Sequence, residues 1–505
     1  MPLAVVASRA LLGMQAPAVQ VEVHLSGGLP GFCIVGLPDT EVREARERVR
    51  SALLNSSLPY PSARRIVVNL APADLPKESG RFDLPIALGL LAAQGAIDPL
   101  RLQGHEFAGE LSLAGELRPV HGALAMTCAA RASRAAGTRL VLPLPSACEA
   151  ALAAPDAVLG ARHLHDVLAY LGGQLDAAAL RAPVVAPAPA PVTDLADVRG
   201  QAQARRALEI AAAGEHHLLL VGPPGSGKSM MARRLVGVLP PLEHDQALES
   251  AAMLSLSGAF EASAWGRRSL RSPHHGCSAA ALLGGLGSGG LRPGEVSLAH
   301  HGVLFLDELP EFDRRALEGL REPLEMARVH LARAAQRAEF PARFLLVAAM
   351  NPCPCGHLGH PGRACRCSAE QIARYRARLS GPLLDRIDLR VEVAALAPDA
   401  LLELPAGEAS AAVAQRVQRA ALRQRQRQGR PNAALGAAEL ERHCALRTEA
   451  RSWLGTTLTR LGSSARATHR ILRVARSIAD LCEAAHVERE HLAEAMQLRR
   501  ALGAD

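Results

Sequence analysis

Residues 218–229 read LLLVGPPGSGKS, and this stretch decides the fold. Leu218 to Val221 form a short apolar run bounded by glycine and proline, the pattern of a buried strand. The following MMARRLVGVL has helical spacing. Between strand and helix, Gly222, Pro223, Pro224, Gly225, Ser226 and Gly227 allow the backbone to wrap around phosphates with N–H groups turned inward, while the helix presents its positive end. In that setting Lys228 reaches the β- and γ-phosphates of ATP and the Ser229 hydroxyl binds Mg²⁺. A glycine-rich turn arising by chance would lack both the strand before it and the helix after it.

A phosphate loop binds nucleotide without necessarily turning it over, so its partners matter. In GVLFLDELPEF a buried strand ends at Asp307 and Glu308, about 80 residues after the loop. Asp307 is placed to hold magnesium through water, and Glu308 to orient and polarise the attacking water. The next apolar run, Phe344 to Ala349, ends near Asn351, a polar group suited to the γ-phosphate or the lytic water; the competing reading is an Asn that opens a turn before Pro352. Runs such as HHLLLVG, GVLFLDE and RFLLVAAMN alternate with helix-like segments, which predicts an α/β domain with a mainly parallel, buried sheet.

Working outward, the chain has 505 residues, too many for one core. Four regions are expected: an α+β N-terminal domain over 1–175, a Pro/Ala linker over 176–193 containing RAPVVAPAPAPVT, the α/β ATPase domain over 194–396, and a helical domain over 397–505. The N-terminal strands are read from VQVEVHL, RRIVVNL and TRLVLPL, and its helices from REARERVRSALL, LPIALGLLAAQGA and ALAMTCAARASRA. The apolar start, MPLAVVASRALLGM, has no charged leader and runs straight into a strand pattern, so it is read as part of the fold. No uninterrupted apolar run reaches about 18 residues, so no membrane span or membrane partner is expected.

Net charge is +8 from 57 basic and 49 acidic residues, which permits a nucleic-acid partner without demanding one. Aromatic residues make up only 3 %, which weakens any reading built on base stacking. All but two of the basic residues are arginine; lysine stands only at Lys77 and Lys228. Of the 10 cysteines, Cys353, Cys355, Cys365 and Cys367 crowd together, a local site in a reducing cytoplasm rather than a secreted disulfide framework. Two C-x-C pairs joined by a short glycine-containing loop can complete a tetrahedral structural Zn²⁺ site. Free buried thiols or an iron–sulfur site are the alternatives, with His357 and His360 as substitute ligands.

Two further patterns bear on DNA. His274, His275, His300 and His301 flank a glycine-rich insert, Gly284 to Gly290, that would form pore loops or merely a flexible connection. The run from Arg416 to Arg430 holds six arginines and no acid. It would contact phosphates without sequence preference, or else be a helix with its positive face in water.

The order of phosphate loop, LFLDE, strand-ending Asn and LSGPLLDRIDL resembles an AAA+ ATPase of the magnesium-chelatase branch. RSPHHGCSAAALLGG, PGEVSLAHHGVLFLDELPEF and NPCPCG are more closely similar to the magnesium-chelatase-like ComM/YifB family, over nearly the whole chain. The resemblance implies a homo-oligomeric ring, usually a hexamer, with nucleotide between subunits. By the LLDRID pattern Arg386 would be the finger completing the neighbour's site, the alternative being a salt bridge with Asp385 or Asp388. SSARATHRILRVARSIADL resembles the family's second sensor, which implies that Arg466 reaches the nucleotide, with Arg470 and Arg473 as alternatives. PADLPKESGRFDLPIALGLL resembles a Lon-protease-like domain, but the nucleophile's place falls at Phe82 and Ser79 is off the pattern, which implies a non-proteolytic module that leaves Lys77 a structural or phosphate-contacting role. The implied function is an ATP-hydrolysing motor on single-stranded or branched DNA, a helicase or branch-migration factor that supports homologous recombination during natural transformation. A chelatase motor subunit and an ATP-dependent protease are the other readings.

Overall fold

Alternating apolar residues at the front of the chain build a seven-stranded mixed sheet. Its strands run, in spatial order, Gly31–Val35, Arg65–Ala71, Ala18–Ser26, Leu3–Arg9, His105–Phe107, Arg139–Pro143 and Val158–Ala161. Leu3–Arg9 pairs antiparallel with Ala18–Ser26, so the apolar start of the chain is an internal strand. Helix Asp83–Ala93 is buried at every position against this sheet. It lies so close that a Cβ on Gly89 would sit 2.5 Å from Val23 Cγ2, which explains a glycine in mid-helix despite its cost. The computed structural model describes residues 3–133, 137–184, 193–287, 290–333, 336–396, 403–461 and 464–501. The centre of the Pro/Ala linker, the junction at 397–402 and positions 288 and 289 of the glycine-rich insert lie outside the described residues. The turn Ala177–Leu180 still packs on the N-terminal domain, with Leu180 and Ala182 buried.

The second sheet is parallel throughout, in the order Leu270–Arg271, Val303–Leu306, Leu345–Met350, Leu218–Val221 and Leu389–Glu392. Successive residues feed opposite layers, as the two-residue period of a strand requires. Leu218, Leu220, Val303, Phe305 and Val347 join one core; Leu219, Val221, Leu304, Leu306 and Leu346 join the other. Each fully buried Val or Leu contributes about 1.5–3 kcal/mol relative to exposure, so the strand ends that carry the chemistry are held by the deepest part of the molecule. The first of these cores continues into the C-terminal helices through Val413, Val417, Val474 and Ile478. Helices Ser410–Gln428 and Ala465–Leu481 therefore close over one face of the ATPase sheet instead of forming a core of their own.

Helix His244–Leu256 of the ATPase region meets helix Ala123–Ser133 of the N-terminal domain. Leu248, Ala251 and Ala252 pack with Leu124, Ala125, Leu152 and Ala153, and Ser255 Oγ donates to Glu149 Oε1 at 2.8 Å.

Candidate nucleotide site

The strand Leu218–Val221 delivers the chain to the loop, and helix Lys228–Leu235 begins directly after Gly227. Gly225 and Gly227 have φ of +78° and +90°, a region costly for other residues, and a Cβ on Gly222 would sit 2.2 Å from the Val393 carbonyl oxygen. Lys228 is buried, and its ammonium donates to the carbonyls of Gly222 at 2.6 Å and Pro223 at 2.8 Å and to Asn351 Oδ1 at 3.3 Å. Burial holds its pKa below the ordinary lysine value, opposed by the charges of Asp307 and Glu308. The hydroxyl of Ser226 is buried in the loop with no hydrogen-bond partner, an orphan that a phosphate oxygen would satisfy.

The other predicted partners converge here. Ser229 Oγ donates to Asp307 Oδ2 at 2.6 Å, so the hydroxyl and carboxylate expected at magnesium already touch. Asp307 Oδ1 accepts the Glu308 N–H at 3.0 Å. Glu308 follows the buried strand Val303–Leu306 and takes a left-handed conformation, with φ +53°, that costs a non-glycine residue about 1 kcal/mol or more. Its carboxylate is half-exposed just past the strand's carboxyl end, open to solvent. Asn351 touches Lys228 and is no mere turn-opener. Magnesium bound between Ser229 and Asp307 would neutralise charge on the terminal phosphates.

The cysteine knuckle packs on this loop: a Cβ on Gly356 would lie 2.5 Å from Pro224 Cδ. Sulfur separations are 3.4 Å for Cys353–Cys355 and 3.7 Å for both Cys353–Cys365 and Cys355–Cys365, with Cys367 Sγ in the same group. Zinc–sulfur bonds of 2.3 Å in a tetrahedron imply sulfur edges of about 3.8 Å, so the four thiols fit that ion. Backbone N–H groups of Arg366 and His357 pull the Cys355 thiol down to about 6. His357 and His360 stand outside this group, so they do not substitute as ligands.

Arg386 and Arg466 are elsewhere. Arg386 precedes the strand Leu389–Glu392, at the amino end of the parallel sheet, while the phosphate loop leaves its carboxyl end. Four strand residues separate the two ends by about 13 Å. Arg386 and Arg466 line one cavity of about 500 Å³ with Arg470, Arg473 and Glu325, and no phosphate-loop residue lines it. The finger and the sensor arginines, expected at different parts of a nucleotide site, therefore form a single set. Arg386 pairs with Glu325, not with Asp385 or Asp388, and its Nε is buried without a partner. Glu325 is held below the usual carboxylate range by its bond to Arg386 and by the charges of Arg466 and Arg470. Arg470 takes Asp388, at 2.7 Å.

Two other sequence readings change. All six arginines from Arg416 to Arg430 are engaged with acids: Glu209 and Glu408, Glu483 twice, Glu243, Asp480, and Glu439. The run braces the C-terminal helices and is not a free phosphate-binding face. His300 and His301, at 4 % and 7 % exposure, are buried beside Glu249, to which their Nε2 atoms lie at 3.3 and 2.7 Å. His300 Nδ1 accepts the Arg343 N–H at 3.0 Å, which leaves Nε2 the proton and argues against a metal on this trio. In the N-terminal domain Phe82 is core, and Lys77 is buried with its ammonium on the Pro72 carbonyl. Ser79 Oγ accepts from Arg81 Nε at 2.9 Å, so no Ser–Lys pair exists among the described residues.

Models described as magnesium chelatase, subunit ChlI, match residues 194–401; the subunit ChlI model of Mg-chelatase matches 21–145 and its C-terminal model 407–499. The uncharacterized protein YifB of Salmonella typhimurium is 49 % identical over 505 residues, covering 99 % of this chain and 97 % of that one. Competence protein ComM of Haemophilus influenzae is 48 % identical over 506 residues, covering 99 % and 98 %. The chain belongs to the magnesium-chelatase-like ComM/YifB family. An uncharacterized relative from Mycobacterium tuberculosis is 42 % identical over 499 residues, covering 98 % of each chain. As a ComM/YifB protein it is an AAA+ ATPase, whose family implies ATP and Mg²⁺. No helix among the described residues is long and apolar enough to cross a membrane. Two features of this family member escaped the sequence reading. Glu325, the partner of Arg386, lies 61 positions away with nothing local to mark it, and His275, read only as flanking the glycine-rich insert, reaches Glu308 with its ring.

Proposed function

We propose that this ComM/YifB protein is a cytoplasmic, ring-forming motor that hydrolyses ATP to move single-stranded or branched DNA, as a helicase or branch-migration factor in homologous recombination during natural transformation. The observation that carries the ring is the 13 Å or so between the phosphate loop and the arginine cavity, which no arginine side chain of the same subunit spans across the buried sheet. A neighbouring copy, most simply in a hexamer, would bring its Arg386, Arg466 and Arg470 to the γ-phosphate; Glu308 would take the proton of the attacking water, and Asn351 and Lys228 would hold the phosphate in line. Support for DNA comes from the relative named a competence protein and from the net charge of +8. The N-terminal domain serves as a non-proteolytic scaffold or DNA-contacting module, because Phe82 occupies the core. The thiol geometry supports one structural zinc in the knuckle beside Asn351.

A chelatase-type motor subunit is the second reading, favoured by the family models named for magnesium chelatase. The deciding experiment measures ATP turnover and strand movement with single-stranded, duplex, forked and four-way DNA. Stimulation by forked or four-way substrates with strand movement is expected; no DNA binding at low salt would sink the DNA reading and leave the chelatase one.

A further inference from the structure

Asp388 is a buried carboxylate, 2 % exposed, at the amino end of strand Leu389–Glu392. Both of its oxygens are taken. Oδ1 accepts Arg470 Nη1 at 2.7 Å, while Oδ2 accepts the His217 N–H at 3.3 Å and lies 3.4 Å from His216 Nδ1. Burial alone would push this carboxyl up, but the Arg470 charge and the His216 contact hold it below the ordinary range, so it stays ionised. The main chain of the same residue is fixed as well: its N–H donates to the His217 carbonyl at 3.1 Å, and its carbonyl accepts Arg499 Nη1 at 2.7 Å.

From this anchor two lines of contact run. One reaches helix Ala465–Leu481 at two points: Arg470 meets Asp388 directly, and Ser477, two turns further along the same face, has its Oγ 2.7 Å from His216 Nε2. A Cβ on Gly214 would lie 2.3 Å from both His216 Nε2 and Ser477 Oγ, so the helix sits as close as glycine permits. The other line follows strand Leu218–Val221, which begins directly after His217, pairs in parallel with Leu389–Glu392 and ends at the phosphate loop.

Only Nη1 of Arg470 is engaged in this arrangement. It also donates to the Arg386 carbonyl at 3.0 Å, and among the described residues Nε and Nη2 have no hydrogen-bond partner. Those two nitrogens are left for an anion in the cavity that Arg470 lines with Arg386 and Arg466. An unrestrained arginine loses rotamer freedom when an anion arrives; one already fixed by a buried carboxylate has little left to lose.

We propose that Asp388 is a positioning residue: from the amino end of the phosphate-loop strand it holds Arg470, and the Arg386 carbonyl with it, in the geometry that the nucleotide of a neighbouring subunit requires. This rests on the reading of the arginine cavity as the part of an ATP site that the next subunit supplies.

The test uses the full chain and ATP. Asp388→Asn should lower kcat about thirtyfold, the worth in rate of one charge-assisted hydrogen bond, and leave the KM for ATP within about twofold. Mixed in equal amounts with Lys228→Ala, it should recover to about a quarter of the parental turnover, because the Lys228→Ala subunit still presents a fixed Arg470 to its neighbour. Damage confined to the variant's own phosphate-loop strand would not be repaired by a neighbour, so mixing separates positioning from bracing. Asp388→Asn also leaves a buried guanidinium without its carboxylate, so a second variant carries Asp388→Asn and Arg470→Gln together; it should melt near the parent and turn over no more slowly than Arg470→Gln alone. Parental turnover in Asp388→Asn, no recovery on mixing in rings shown to exchange subunits, or a further loss in the double variant overturns the positioning role and leaves the cavity reading standing. Parental turnover in Arg470→Gln overturns the cavity reading and this role together.

Discussion

The two ends of the ATPase sheet solve different problems. At the carboxyl end the groups needed for phosphate, metal and water are already within bonding distance of one another: Lys228 on Asn351, Ser229 on Asp307, Asp307 on the Glu308 N–H. At the amino end Arg386, Arg466, Arg470 and Arg473 line a cavity whose acidic members include Glu325, and nothing there resembles a phosphate cradle. Within the subunit Arg386 is matched by Glu325 and Arg470 by Asp388, while the Nε atoms of Arg386 and Arg473 are buried without a partner, so the amino end still has donors to offer an anion. One end of the sheet gathers the partners of the phosphate loop, and the other gathers arginines. Under the proposed ring, the difference makes the unit of catalysis larger than the chain.

The largest effect that tests this contrast is at the carboxyl end. Lys228→Ala or Glu308→Gln should cut ATP turnover about a thousandfold, with Glu308→Gln still binding ATP; near-normal hydrolysis in either would break the site assignment. Next comes the amino end. Arg386→Ala alone should lose a comparable factor, yet mixing it in equal amounts with Lys228→Ala should restore about a quarter of the parental turnover, because half-sites from the two variants combine at subunit contacts. Absence of any recovery, with rings shown to exchange subunits, would put Arg386 back in its own subunit's site. The smallest effect concerns the knuckle that packs on the phosphate loop. Elemental analysis should find about one zinc per chain, and Cys353→Ser should lower the melting temperature by about 5 °C; metal-free protein with an unchanged melting curve would favour free thiols.

Legibility followed the range of the interaction. The phosphate loop, the acidic pair and the buried strands are written locally, because a strand–loop–helix turn and a two-residue apolar period need only neighbours along the chain. The N-terminal strands and helices were readable for the same reason, and Phe82, at the place the resemblance gives a nucleophile, is a core residue. What misled was charge. The stretch from Arg416 to Arg430 contains no acid, yet each arginine meets one supplied from as far away as Glu209 or Glu483. Histidine pairs were equally opaque: His275 reaches the Glu308 carboxylate with His274 against its ring, while His300 and His301 are buried beside Glu249. Side-chain type fixes what a group is able to do, and only its surroundings fix whether it is free to do it.

Lysine gives the compact version of that lesson. By itself the sequence determined the setting of Lys228, because the glycines, the strand before and the helix after dictate a local cradle suited to phosphate. It also determined the parallel α/β core and the grouping of four cysteines within reach of one ion. Tertiary structure alone decided that Lys77 is buried on the Pro72 carbonyl, that Arg386 and Arg466 stand together at the far end of the sheet, and that His275 touches Glu308. These are contacts between segments distant in sequence, set by which strands pair and which layers stack, and no local pattern encodes them.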